Sequence, residues 1–219
     1  MQRRDSTMAQ MYFEREPQSE SRPVSIRYVY RGRSLVFETD SGVFSRGEMD
    51  AGSALLLECL PMLSGRVLDL GCGWGALGVS VACANPEADV TCVDVNLRAL
   101  GLCEKNAQVN GARVRVLESD GVKAIREDRF DTVITNPPIR AGKRKVYELL
   151  KEAQEALDTE GKLYLVIRKQ QGAESCIRYL KSLFRQVDKI GRSGGFWILC
   201  AGEKLKEGAS QDESGTDVL

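Results

Sequence analysis

The chain of 219 residues contains no histidine. That absence removes Ser-His-Asp triads, Cys-His dyads and His-ligated zinc. Any proton transfer must then fall to a carboxylate, a lysine or a tyrosine, or take place without a base. Charge of one sign is lacking too: Lys plus Arg and Asp plus Glu stand at 31 each. A nucleic-acid site would therefore have to be a local patch and not a field of the whole chain. No run of 18 apolar residues occurs, so no membrane span is expected. The polar opening stretch has no apolar core of the kind a secretory signal needs. The seven cysteines (59, 72, 83, 92, 103, 176 and 200) form no C-x-x-C pair, are odd in number and sit mostly in apolar runs. They read as reduced core residues of a cytoplasmic protein, and nothing in their spacing suggests a metal.

What is present is an ordinary globular balance, 42% hydrophobic and 28% charged, enough for one α/β domain with short appendages. Residues 1–22 form a polar lead-in. Two alternating runs, Ser25–Tyr30 and Ser34–Glu38, flank Arg31-Gly32-Arg33 and predict a β-hairpin. A helix is expected over Ala51–Leu63, which closes an N-terminal unit spanning 23–63. From residue 64 to 202 short apolar strands alternate with amphipathic helices. Strands are expected at Arg66–Leu70, Asp89–Val95, Arg113–Leu117, Phe130–Thr135 and Gly161–Ile167. Helices are expected at Gly75–Ala84, Leu97–Asn110, Lys145–Leu157 and Ser175–Phe184. This alternation implies a mainly parallel sheet with helices on both faces. Val187–Ile190 and Phe196–Ala201 are joined by a turn and no helix, so the final strand should run in reverse. The polar stretch 203–219 reads as a disordered tail.

In an open α/β sheet, ligands bind where the strand C-termini open a crevice. Asp69 ends the first strand of the alternating region. Gly71, Gly73 and Gly75 follow in Gly71-Cys72-Gly73-Trp74-Gly75, a turn that lets backbone approach a ligand closely. Asp94, with Val95 and Asn96, ends the next strand, where an acid can accept from ribose hydroxyls. Asp120 and Gly121 follow the third strand, in reach of an adenine edge. Each acid alone could be a cap or turn residue; the ordered set at three successive strand ends is harder to explain that way. The glycine spacing could also be fitted to a dinucleotide fingerprint. An acid before the first glycine, however, suits the ammonium and sulfonium of S-adenosylmethionine better than a pyrophosphate.

With these features the sequence resembles class I S-adenosylmethionine-dependent methyltransferases, and more narrowly the small-domain family of 16S ribosomal RNA guanine-N2 methyltransferases. The resemblance covers roughly residues 12–201. Its specific marks are Thr39-Asp40-Ser41-Gly42-Val43-Phe44-Ser45, Asp50-Ala51-Gly52-Ser53, Val67–Gly75, Val93–Asn96 and Thr135–Lys143. It implies a Rossmann-like seven-stranded sheet with a reversed last strand, preceded by the hairpin. It also implies that Asp69 and the glycines hold the methionine end, Asp94 the ribose and Asp120 the adenine. Members can carry a second, degenerate copy of the domain on the N-terminal side, for which 219 residues leave no room.

Asn136-Pro137-Pro138-Ile139 lies at the end of the fourth strand. Its prolines stiffen the backbone and remove two donors. The Asn136 side-chain oxygen and the Pro137 carbonyl are placed to grip an exocyclic amino group and aim its nitrogen at a methyl donor. This looks like the motif of amino-group methyltransferases, in which positioning supplies most of the rate and no metal is needed. Ile139 stands where related enzymes often carry an aromatic, so Phe44, next to Ser45, becomes the candidate for stacking on the target. Arg140, Lys143, Arg144 and Lys145 form a basic cluster beside this turn. Arg22, Arg27, Arg31 and Arg33 form another near the hairpin. Both suit phosphate contacts. The expected partner is RNA, as 16S ribosomal RNA or the small ribosomal subunit, with no membrane. The oligomeric state stays open, a monomer included. Two alternatives stand beside this reading. One is a protein glutamine-N5 methyltransferase, which shares the Asn-Pro-Pro turn. The other is a non-catalytic RNA-binding factor of ribosome assembly that retains the fold.

Overall fold

The computed structural model describes residues 15–205. The first part of the lead-in, 1–14, and most of the expected tail, 206–219, lie outside the described residues. Strands β1 (Val24–Tyr30) and β2 (Arg33–Thr39) pair antiparallel from Val24↔Thr39 to Tyr30↔Arg33. Arg31 and Gly32 turn the hairpin with φ of 48° and 76°. Two positive values are what a type I′ turn requires to match the twist of the strands.

Helix α1 spans Ala51–Cys59, shorter than expected at its end. Leu60 is extended, with φ −65° and ψ 140°, because the ring of Pro61 disfavours the helical region for the residue before it. The core then alternates β3 (Gly65–Leu70), α2 (Gly78–Ala84), β4 (Ala88–Asp94), α3 (Leu97–Asn110), β5 (Val114–Glu118), β6 (Phe130–Thr135), α4 (Lys143–Ala156), β7 (Leu157–Arg168), α5 (Ala173–Leu180), β8 (Phe184–Ser193) and β9 (Phe196–Lys204). The sheet order is β5-β4-β3-β6-β7-β9-β8. β9 is inserted antiparallel between β7 and β8, so the reversed last strand follows the sequence reading. β8 is longer than expected. It is an edge strand, and its charged side chains blur the apolar alternation.

Period-two alternation divides the strand side chains between two cores. Val67, Val90, Cys92, Ile134 and Val166 pack towards α1, α2, α3 and the hairpin. Leu68, Leu70, Val93, Val133 and Leu165 pack towards α4 and α5. All seven cysteines are free thiols. No helix among the described residues is long and apolar enough to cross a membrane.

The hairpin is docked by two asparagines one turn apart on α3. Asn110 accepts from Val36 N at 2.9 Å and donates to Val36 O at 2.7 Å. Asn106 does the same to Glu38 N and O at 2.7 and 2.9 Å. The two amides complete the open edge of β2 as a neighbouring strand would. Asn106 also donates to Trp74 O at 2.8 Å, which ties the hairpin dock to the glycine loop. Arg98 reaches Pro17 O, Ser19 Oγ and Ser41 O, so this part of the chain straps across the start of α3.

Candidate active site

The strand order reverses between β3 and β6, and a cavity of about 850 Å³ opens there, at the C-terminal ends of β3, β4, β6 and β7. Its walls include the glycine loop, Asp94–Asn96, Ser119–Gly121, Asn136–Ala141, Val166–Arg168 and the segment Val43–Ser53.

The three glycines divide by role. Gly71 and Gly73 hold φ of 76° and 55°, and a methyl added at either would stand in open space. Gly75, with φ 88°, does not line the cavity: an added methyl would come within 2.8 Å of Val79 and 2.9 Å of the Cys103 sulfur. Beneath it the thiols of Cys72, Cys92 and Cys103 meet. Hydrogen bonding with Cys103, together with burial, pushes the Cys72 and Cys92 thiols well up.

Asp94 holds this loop in place. Its Oδ2 accepts from Gly73 N at 2.8 Å and its Oδ1 from Asn96 N at 2.9 Å. Burial pushes its carboxyl above the ordinary value of 3.8, against the pull of these N–H groups and that of Val95. A carboxylate has about four lone-pair sites; Gly73 N and Asn96 N fill two at hydrogen-bond distance and Val95 N pulls more weakly, so acceptor capacity remains for a ligand. Asn96 lines the cavity, but its side chain caps α3 through Ala99 N at 3.0 Å and donates to Gly42 O at 3.0 Å.

Asp69 lies one layer deeper than the sequence reading assumed. It is fully buried and does not line the cavity. Its Oδ2 accepts from Gly78 N at 2.7 Å, and its Oδ1 has no hydrogen-bond partner among the described residues. Burial raises its carboxyl well above the ordinary range. A direct contact with a cationic ligand is therefore not available to it in this structure. Asp120 does face the cavity, but its carboxylate is paired with Lys123 and, at 3.2 Å, with Lys145. Hydrogen bonds from Lys123 and Lys145 hold its pKa down.

The Asn136 turn follows β6 and the glycine loop follows the neighbouring β3, and both line the cavity. Pro138, at φ −74° and ψ 76°, makes an inverse γ-turn in which Ile139 N donates to Pro137 O at 2.8 Å. The Pro137 carbonyl is thus half used, not free as expected from the sequence. Asn136 Nδ2 donates to Asp50 Oδ2 at 3.0 Å and to Ser53 Oγ at 2.9 Å, which turns Oδ1 towards the cavity. Phe44 is 49% exposed at the rim. Its carbonyl is anchored by Trp74 Nε1 at 2.8 Å, and Ser45 next to it adopts φ 55° and donates Oγ–H to Glu48 O.

Of the basic residues, Arg140 and Lys145 reach the cavity, whereas Lys143 lies over the Tyr147 ring and Arg144 faces Glu148. Arg31 of the hairpin cluster is spent on Leu60 O and Pro61 O. Sequence reasoning missed Arg168, whose guanidinium lies 4.2 Å over the Phe196 ring in the cavity wall. No local pattern marks that pair. Asp50 and Ser53 were visible only as part of a motif without a role.

The methyltransferase small-domain family matches residues 34–200. This chain belongs to that family. Protein YbxB of Bacillus subtilis (strain 168), named as uncharacterized, is 36% identical over 198 residues, covering 89% of this chain and 98% of its own length. Ribosomal RNA small subunit methyltransferase C of Vibrio vulnificus (strain CMCP6) is 40% identical over 174 residues, 76% of this chain and 49% of that protein. Among solved structures, the T. thermophilus 16S rRNA N2 G1207 methyltransferase, in complex with AdoMet and guanosine, aligns with a TM-score of 0.76. It is 27% identical over 85% of this chain and 52% of that one. The chain thus spans about half the length of these ribosomal RNA methyltransferases.

Methyltransferases of this family use S-adenosylmethionine. The cavity fits it: the glycine backbone is open at Gly71 and Gly73, and Asp94 has acceptor capacity to spare. The glycines should then respond differently to alanine. Gly75→Ala adds a left-handed strain of about 1–2 kcal/mol to an overpacking cost of about 1–3 kcal/mol. Thermal unfolding should register this as a loss of roughly 10 °C. Gly73→Ala carries the strain alone but puts a methyl into the cofactor's space. It should weaken S-adenosylmethionine binding about tenfold or more, the cost of a single clash or lost contact, with a smaller change in Tm. Equal effects on Tm would refute this division.

Proposed function

We propose that the chain transfers a methyl group from S-adenosylmethionine to the exocyclic N2 amino group of a guanine in 16S ribosomal RNA. The observation that carries this reading is the Asn136-Pro137-Pro138 turn, which lines one cavity with the glycine loop and has its Asn136 nitrogen held by Asp50 and Ser53, leaving the oxygen for the cavity. The likeness to a solved structure titled a 16S rRNA N2 G1207 methyltransferase, and to a relative named ribosomal RNA small subunit methyltransferase C, supports the target.

S-adenosylmethionine supplies an electrophilic methyl on a sulfonium that leaves as a neutral thioether. The chain's own residues bind and aim. Asp94 accepts from the ribose hydroxyls with the lone pairs that Gly73 and Asn96 leave over. Gly71, Cys72 and Gly73 lie along the methionine end, and Val95, Asp120 and Gly121 border the adenine. Asp69 acts through the start of α2, which it anchors at Gly78 N. Asn136 Oδ1 and the unused lone pair of Pro137 O accept the two amino hydrogens and turn the nitrogen towards the methyl. Phe44 stacks on the base drawn out of the RNA, while Pro138 and Ile139 form the floor. Arg140, with Lys143 and Arg144 on the adjoining helix, meets phosphates. The nitrogen gives up one proton to water after transfer, a step for which no histidine is needed.

The test is transfer of labelled methyl from S-adenosylmethionine to RNA of a strain lacking the gene, followed by nucleoside analysis. The expected product is N2-methylguanosine in 16S ribosomal RNA. Label found only in protein would overturn the reading.

A further inference from the structure

We propose that Asp50 and Ser53 are positioning residues that fix which end of the Asn136 amide faces the reacting group. They thereby set the site's choice of an amino group over a carbonyl oxygen. The inference rests on the amino-group reading above but concerns residues outside the cofactor set. A primary amide is nearly symmetric in shape: a half-turn about its last bond exchanges an acceptor oxygen for a donor NH₂. The cavity can therefore meet either chemistry at Asn136, and something must hold the choice.

Two acceptors converge on the Asn136 nitrogen, Asp50 Oδ2 at 3.0 Å and Ser53 Oγ at 2.9 Å. An ionised carboxylate has no proton to give, so a flipped amide would set oxygen against oxygen at Asp50. The flipped state is excluded because two acceptor oxygens would face each other, and not by shape. Asp50 is itself immobilised: the same Oδ2 caps α1 through Ser53 N at 2.9 Å. The helix N-terminus thus orients the carboxylate, the carboxylate orients the amide, and the amide presents Oδ1 to the cavity. An acceptor there welcomes an N–H donor and repels a keto oxygen.

This also accounts for the spacing Asp50-x-Gly52-Ser53. A methyl added at Gly52 would come within 2.9 Å of the Phe196 ring and 3.0 Å of Asp50 Oδ2. Glycine lets Phe196 close the cavity wall without displacing the carboxylate. Ser53, in the first helical turn, supplies the second acceptor.

The test separates capping from positioning. Asp50→Ser keeps a good helix cap, but its shorter side chain cannot also reach Asn136. Asp50→Asn keeps a cap and puts an oxygen where Oδ2 was. If Asp50 only caps, both variants match the unaltered protein. If it positions, Asp50→Ser should lower kcat roughly 10- to 100-fold, with Tm and S-adenosylmethionine affinity little changed. Asp50→Asn should restore most of the loss. Independently of any RNA substrate, the Asn136 side-chain NH₂ should exchange slowly by ¹⁵N NMR in the unaltered protein and in Asp50→Asn. It should exchange fast in Asp50→Ser combined with Ser53→Ala. Unaltered kcat in Asp50→Ser, or free-asparagine exchange in the unaltered protein, overturns the proposal. Absence of RNA methylation by the unaltered protein instead counts against the substrate reading, and the NMR arm still decides the orientation of the amide.

Discussion

Replacing Asn136 by alanine should lower the methyl-transfer rate about 100- to 1000-fold while S-adenosylmethionine affinity changes far less. The magnitude is that of deleting one preorganised polar group aimed at a reacting centre. The asymmetry follows from the contacts of the side chain. Its nitrogen is held by Asp50 and Ser53 and by no residue of the glycine loop, so truncation leaves the loop and Asp94 untouched. What is lost is the inward oxygen. In its place Asp50 Oδ2 keeps only its bond from Ser53 N, and Ser53 Oγ loses the amide that both had accepted from. A single-turnover assay, with cofactor affinity measured by titration calorimetry, separates the two quantities. A variant that kept a rate within tenfold of the original would mean that the turn shapes the cavity and does not grip the target.

The same residues mark where the sequence was readable and where it was not. Strand-helix alternation, the reversed last strand and the glycine loop depend on local periodicity and on turn chemistry, and these were legible. Errors of extent have local causes as well: α1 stops at Cys59 because of Pro61, and β8 runs longer because an exposed edge carries charge. The site was legible only as far as each residue's role stayed within its own strand end. On that basis Asp94 and Asn136 are expected at strand ends facing a ligand crevice, and both line the cavity. Asp50 pairs with Asn136 across 86 positions, and Asn106 with β2 across 68, and no spacing rule encodes either contact. Asp69 was read as facing the ligand because it ends a strand. The pleat sends its side chain beneath the loop, where Gly78 N meets it. The Cys72, Cys92 and Cys103 cluster was read correctly residue by residue as core, but its convergence under Gly75 belongs to packing alone.

Asp94→Ala should weaken S-adenosylmethionine binding roughly 100- to 1000-fold, the equivalent of about 3–4 kcal/mol. Two ribose hydroxyls would each lose a hydrogen bond to a charged acceptor, worth about 1.5–3 kcal/mol apiece. Gly73 N and Asn96 N would lose their acceptor too, so the loop should slacken and Tm should fall. The pH dependence carries a sign that distinguishes this acid from a merely structural one. Burial raises the Asp94 carboxyl in the folded protein above 3.8, so the folded state takes up a proton at a higher pH than the unfolded chain does. For the cofactor-free protein the charged form is therefore a cost, relieved as pH falls through the raised value. For the complex the sign reverses, because only the ionised carboxylate can accept from both hydroxyls while its other lone pairs serve Gly73 and Asn96. Affinity should be flat near neutrality and fall about tenfold per pH unit below the raised pKa, the slope of one proton. In Asp94→Ala that slope should vanish while the rest of the titration stays. A slope that persisted in the variant would move the titrating group elsewhere, and Asp120, held down by Lys123 and Lys145, could appear only at lower pH.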